Sequence, residues 1–184
     1  MKFTVGKLVA TAIGIALFVS LSVCLQVPVF ENYYLCLGYV AMAVYCYSFG
    51  VFSGTVVGVV GVVLYCLLIN GLRGMPGWAL GNLIIGLALG LTFRRTKKMK
   101  NNALRSGINI VVIILSVTAG ILGVKSLTEC LLYSQPFMIR VGKNIYAWAA
   151  DLFMLIVSLP ICMILDKTVH KLFPKLTGES NCNE

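Results

Sequence analysis

Hydrophobic residues along this 184-residue chain fall into six long runs separated by short polar links. The runs cover Phe3–Leu25, Tyr34–Phe49, Val51–Ile69, Trp78–Phe93, Ile108–Val124 and Ile145–Leu165. A helix needs roughly 17–25 apolar residues to cross the hydrocarbon core of a bilayer. The runs match or approach that length, the second being short. Backbone in lipid must satisfy its own hydrogen bonds, and the period-two alternation of a membrane barrel is absent, so the runs predict helices. The expected fold is an all-α membrane protein, a six-transmembrane-helix bundle.

Composition agrees with the pattern. Hydrophobic residues make up 59% of the chain and charged residues 11%, with a mean hydropathy of +0.95. About a quarter of a soluble domain is charged, so this chain lacks the polar shell that water demands. Lys2 and Lys7 before an apolar run resemble a signal peptide. The run continues to about Val27 with no A-x-A site, which predicts an uncleaved first span. Residues 1–176 read as one transmembrane domain and 177–184 as a short polar tail.

The net charge of +9 is unevenly placed. Lys2, Lys7, Arg94, Arg95, Lys97, Lys98, Lys100, Arg105, Lys167, Lys171 and Lys175 fall on one side of a six-span topology. Arg73, Lys125, Arg140 and Lys143 fall on the other. The positive-inside rule then makes both termini cytoplasmic, and a multi-pass protein of the cell membrane is expected. The run FRRTKKMK (93–100) is a topology signal and a contact for anionic lipid rather than a nucleic-acid site. The outer links are expected at Gln26–Tyr33, Asn70–Gly77 and Ser126–Asn144, the last being the longest. Loops on a rigid scaffold are where binding usually resides.

Small residues form their own pattern. In the first run, Gly6, Ala10 and Gly14 make one four-residue row, and Ala12 and Ala16 make another on an offset face. Such rows let helix backbones approach closely. One row suits packing inside the bundle and the other suits a second protein. Gly58, Gly61, Gly81, Gly86 and Gly90 read as internal packing.

Candidate chemistry is sparse. The single histidine, His170, stands beside Lys171 at a span end, and no hydrolase, zinc-protease or phosphate-loop motif occurs. The seven cysteines contain no C-x-x-C pair, and five lie in apolar runs, where Cys acts as a small hydrophobe. No enzyme activity, metal or cofactor is expected. Asp151 stands out, because a carboxyl within IYAWAADLFML is costly unless it faces a cavity or a partner. Asn144 and Trp148 precede it by seven and three residues, on about the same helix face. Two readings of Asp151 stand: a polar–aromatic pocket wall, or an interfacial pair with Lys143 or Arg140. Asn70 and Arg73 enter an outer link, Trp78 closes its Gly-Pro stretch, and Tyr39 belongs to the aromatic belt. The candidate substrate-binding set is Tyr39, Asn70, Arg73, Trp78, Asn144, Trp148 and Asp151.

Three stretches carry a family resemblance: VATAIGIALFV (9–19), LGYVAMAVYCYSFGVFSGTVVGVVG (37–61) and PGWALGNLIIGLALGLTFRR (76–95). They resemble the substrate-binding S component of energy-coupling factor (ECF) vitamin transporters, most closely the riboflavin-type family. The second half matches only in hydropathy and length. The resemblance implies six helices, a vitamin site near the outer face, a membrane-embedded coupling (T) subunit and two cytoplasmic ATPases. It also implies that Ala12 and Ala16 dock the coupling subunit, and that the S component topples to present its vitamin inside. The stretch GVVLYCLLINGLRG (61–74) lacks a His/Asp pair common in related proteins, which leaves the vitamin open. The alternative class is a stand-alone secondary transporter or oligomeric channel.

Overall fold

The first helix shows how the bundle treats its two solvents. In the computed structural model, which describes residues 5–24, 27–30, 33–71, 74–99, 101–134 and 136–172, α1 runs Val5–Cys24 and buries Thr11, Gly14, Phe18 and Ser22. Their spacing of three and four residues makes one inward stripe. Leu8, Val9, Ile13 and Leu17 are exposed on the other faces, as lipid-facing residues should be. The inward hydroxyls cap their own helix: Thr11 Oγ1 donates to the Lys7 carbonyl at 2.8 Å and Ser22 Oγ to the Phe18 carbonyl at 2.7 Å. Such bonds satisfy polar groups where water is missing.

The link expected at Gln26–Tyr33 is more ordered than a loop. Strands β1 (Val27–Phe30) and β2 (Tyr33–Leu35) pair antiparallel, Val27 opposite Leu35 and Pro28 opposite Tyr34. This hairpin takes up the start of the second apolar run, so α2 spans only Gly38–Ser48, 11 residues. At about 1.5 Å per residue it rises roughly half the hydrocarbon thickness. Nearly every one of its residues is buried. A helix wrapped by other helices need not meet the lipid on its own, and non-helical backbone is tolerated at depth when protein covers it.

The other helices are long. α3 (Val51–Tyr65) continues through a π-helical turn, Cys66–Asn70. α4 covers Met75–Thr96. α5 (Asn102–Val117) runs through a π-helical stretch, Thr118–Lys125, into α6 (Ser126–Tyr133). α7 is a 36-residue helix, Phe137–Leu172. Among the described residues, five helical stretches are long and apolar enough to cross a membrane: Val5–Cys24, Val51–Ile69, Met75–Thr96, Asn102–Tyr133 and Phe137–Asp166. The expected long link Ser126–Asn144 is mostly helix. Ser126 and Glu129 sit on the inner face of α6, and the chain reverses after Ser134, whose φ is 51°. The expected tail, 177–184, lies outside the described residues.

Glycines set how tightly the bundle closes. A Cβ on Gly90 would lie 2.6 Å from Val51 Cα, and one on Gly86 would lie 2.8 Å from Thr55 Cα. α3 and α4 thus meet backbone to backbone. In α1, a Cβ on Gly14 would meet the Tyr45 ring and Val57 at 2.7 Å, whereas Ala12 and Ala16 are exposed. At the basic end, Lys97 Nζ lies 2.8 Å from Asp166 Oδ1, and Ser48 Oγ donates to the same oxygen at 3.0 Å. That knot ties α2, α4 and α7 together.

Candidate functional site

Opposite the basic end, three helices bring polar groups to one buried point. Tyr39 stands in the first turn of α2 with its side chain fully buried. Trp78 stands in the first turn of α4, which Pro76 helps to start because its missing N–H is no loss there. Asn82 follows one turn later, and Asp151 comes from α7; both are buried. The Tyr39 hydroxyl lies 2.8 Å from Asn82 Oδ1 and 3.0 Å from Asp151 Oδ2, and it accepts from Trp78 Nε1 at 2.8 Å. It has one proton to share between the two acceptors. Asn82 Nδ2 donates to the Gly58 carbonyl at 3.1 Å, which turns Oδ1 towards Tyr39. The aromatic surroundings are Tyr65, edge-on to Trp78 at 5.8 Å, and Phe18, edge-on to Tyr39 at 6.3 Å.

A buried cation completes this group. Lys125, at the end of the π-helical stretch, is 8% exposed. Its ammonium sits 5.6 Å from the centre of the Trp78 ring. Gly77 lets α4 and the π-helical stretch come close: a Cβ there would lie 3.0 Å from the Lys125 carbonyl oxygen. Among the described residues, Lys125 makes no carboxylate ion pair within 4 Å. Its contact with the electron-rich ring face offsets part of the desolvation cost and leaves N–H donors available.

A second polar group lies about 10 Å further along α7, two turns from Asp151. Asn144 Nδ2 donates to Ser126 Oγ at 3.0 Å and to Glu129 Oε2 at 3.1 Å. Arg140 Nη1 lies 3.6 Å from Glu129 Oε2, and its guanidinium stacks 5.6 Å from the Tyr133 ring centre. Arg140 is thus committed to Glu129, and Lys143 is exposed. Asp151 meets Tyr39 instead of either basic residue.

Of the residues singled out by sequence, Tyr39, Trp78 and Asp151 come together in one network. Asn144 belongs to the neighbouring group. Trp148 turns to the start of the π-helical stretch after α5, donating from Nε1 to Thr118 Oγ1 at 3.0 Å. Arg73 and the side chain of Asn70 lie outside the described residues. From the sequence, Asn82 reads equally well as an interhelical hydrogen-bonding group and as a ligand contact, Lys125 as a topology charge, and Glu129 as part of a loop. Asn82 follows Trp78 by four residues, a helical-face spacing that was legible. The burial of Lys125 had no local signal, since it depends on Trp78 from another helix.

Membrane-length helices around a buried polar–aromatic network define a small integral-membrane protein. The model of the family "ECF-type riboflavin transporter, S component" matches residues 2–167, and the chain belongs to that family. No curated protein matches it. The chain is therefore an integral membrane component of an ECF-type transporter, a family that serves vitamin uptake.

Proposed function

We propose that this protein is the substrate-capturing subunit of an ECF importer and binds a riboflavin-like vitamin beside Tyr39, Trp78, Asn82, Lys125 and Asp151. The observation that carries this reading is the buried Lys125 ammonium over Trp78, next to a hydroxyl, an amide and a carboxyl. A planar ring with carbonyl oxygens and ring N–H groups needs such a mixture: donors, acceptors and an aromatic face in a largely apolar wall. Six crossings, with α2 and the hairpin together making the second, put both termini in the cytoplasm and the site at the outer face. Residues 1–176 act as one unit. The exposed Ala12/Ala16 face of α1 docks the membrane coupling subunit, which transmits the work of two ATPases.

The test is chemical. The protein is purified in mild detergent from vitamin-replete cells and denatured, and released molecules are identified by mass spectrometry. A stoichiometric flavin is the expected result. A protein that stays empty after incubation with riboflavin and a vitamin panel would overturn the reading. It would favour the stand-alone carrier or channel.

A further inference from the structure

At the basic end of the bundle a cavity of about 470 Å³ is lined by Tyr47, Asn102, Arg105, Met163, Ile164 and Asp166. Its hydrogen-bonding donors are under-used. Arg105 Nε is buried with no partner among the described residues, and Nη2 reaches only the Met163 thioether, at 3.4 Å. A thioether is a weak acceptor, so a planar five-donor guanidinium is left almost wholly unspent. Tyr47 is 6% exposed. Its ring packs edge-on to Phe93 and under the Lys97 ammonium, but its hydroxyl forms no hydrogen bond among the described residues. Leaving a buried donor such as Arg105 Nε unmatched is costly, and a ligand with several acceptor oxygens removes that cost.

The one acid in the wall does not cancel this. Asp166 is held by Lys97 at 2.8 Å and by Ser48 at 3.0 Å. The charge left to the cavity is the Arg105 cation. Asn101 caps α5 by accepting from the Ala103 and Leu104 amides, which places Asn102 and the positive end of the helix at the cavity wall. Apolar surface adjoins the cavity: Ile164 in its wall is 69% exposed, and Leu104, next to Arg105 in the chain, is 53% exposed.

We propose that this cavity binds a phosphate group, that of an anionic phospholipid whose acyl chains lie along Ile164 and Leu104. The guanidinium takes two phosphate oxygens side by side, the geometry for which arginine is suited and lysine is not. The Tyr47 hydroxyl donates to a third. The proposal is independent of the vitamin site, which lies at the other end of the bundle.

Native mass spectrometry of the full chain, released from detergent with phosphatidylglycerol or phosphatidylcholine, tests it. Wild type retains one phosphatidylglycerol in preference to phosphatidylcholine. Arg105→Gln weakens that retention about tenfold or more, since charge-assisted bidentate bonds are lost. Tyr47→Phe weakens it less. Lys98→Gln removes an exposed charge from the same end and leaves retention unchanged. Arg105→Lys, read beside a thermal midpoint and an elution profile, keeps the charge and still binds less tightly, which separates recognition from misfolding. Competition with millimolar inorganic phosphate distinguishes the source: displacement means the phosphate group alone suffices, and persistence means that the acyl chains contribute. Equal retention in Arg105→Gln, Tyr47→Phe and wild type overturns the proposal. So does a loss in Lys98→Gln as large as that in Arg105→Gln, because diffuse charge would then account for binding.

Discussion

Tyr39 is the residue on which the buried polar network opposite the basic end turns. Its single oxygen meets partners from α4 and α7, so removing it strands Trp78 Nε1, Asn82 Oδ1 and Asp151 at once. Each unmatched buried polar group costs about 1–3 kcal/mol. Tyr39→Phe is expected to lower thermal stability in detergent and to weaken riboflavin binding by about tenfold or more, since 1.4 kcal/mol is a factor of ten. Fluorescence quenching titration reads both proteins on one scale. Lys125→Met keeps the volume and the apolar stem but removes the ammonium above Trp78. It is expected to weaken binding and also to lower the melting temperature, because it leaves the buried Asp151 carboxyl without the cation that faces it. A Lys125→Met protein that binds as tightly as wild type would remove Lys125 from the site. Asp151 was legible as a costly carboxyl in an apolar run. Its partner was not, because Tyr39 lies 112 residues away in the chain.

Among the elements, contact between α3 and α4 depends on side chains that are absent. Gly90 faces Val51 Cα at a distance where a Cβ would sit at 2.6 Å. Gly90→Val must push the helices apart, and overpacking of this kind costs roughly 1–3 kcal/mol. Gly107 provides the contrast. It is exposed in α5, and an added Cβ meets nothing within 4 Å. Gly107→Ala is expected to raise stability by about 0.4–1 kcal/mol, through helix propensity and a less flexible unfolded chain. Opposite shifts in detergent melting temperature are the expected pair of results. Two melts shifted in the same direction would contradict the packing account. The glycine rows were readable from spacing. Which glycine faces a backbone and which faces open space was not, because that depends on the rotation and register of the neighbouring helix.

For the whole molecule, the question is which way it lies in the membrane and what it touches. Exposed Ala12 and Ala16 make a shallow strip on α1 among larger apolar residues. A small-residue strip of this kind admits a second helix closely. The double substitution Ala12→Trp with Ala16→Trp is expected to abolish vitamin uptake in cells that carry the ATPases, while binding by the purified subunit stays within about twofold, under the ~0.5 kcal/mol typical of surface changes. Lost binding in the purified double mutant would count against a docking role. Orientation has its own check. Exposed Ser134 lies at the turn before α7, and exposed Met99 lies in the basic link. Ser134→Cys is expected to react with a membrane-impermeant maleimide in intact cells, and Met99→Cys only after the cells are opened. The reverse pattern would invert the topology.

By itself the sequence determined the solvent, the helical form of most of the chain, the basic asymmetry of its two ends and the small-residue face of α1. These follow from composition and from short-range periodicity, because a bilayer penalises each unpaired backbone group wherever it occurs. Tertiary structure alone decided the rest. It shortened α2 to 11 buried residues behind a hairpin and turned the expected long link into α6 and the start of α7. It also turned Trp148 towards Thr118 and gathered Tyr39, Trp78, Asn82, Lys125 and Asp151 into one place. A hydrogen bond or a cation–ring contact between distant residues exists only once the helices have chosen their neighbours and rotations. That choice belongs to the packing of the whole bundle and not to any one segment.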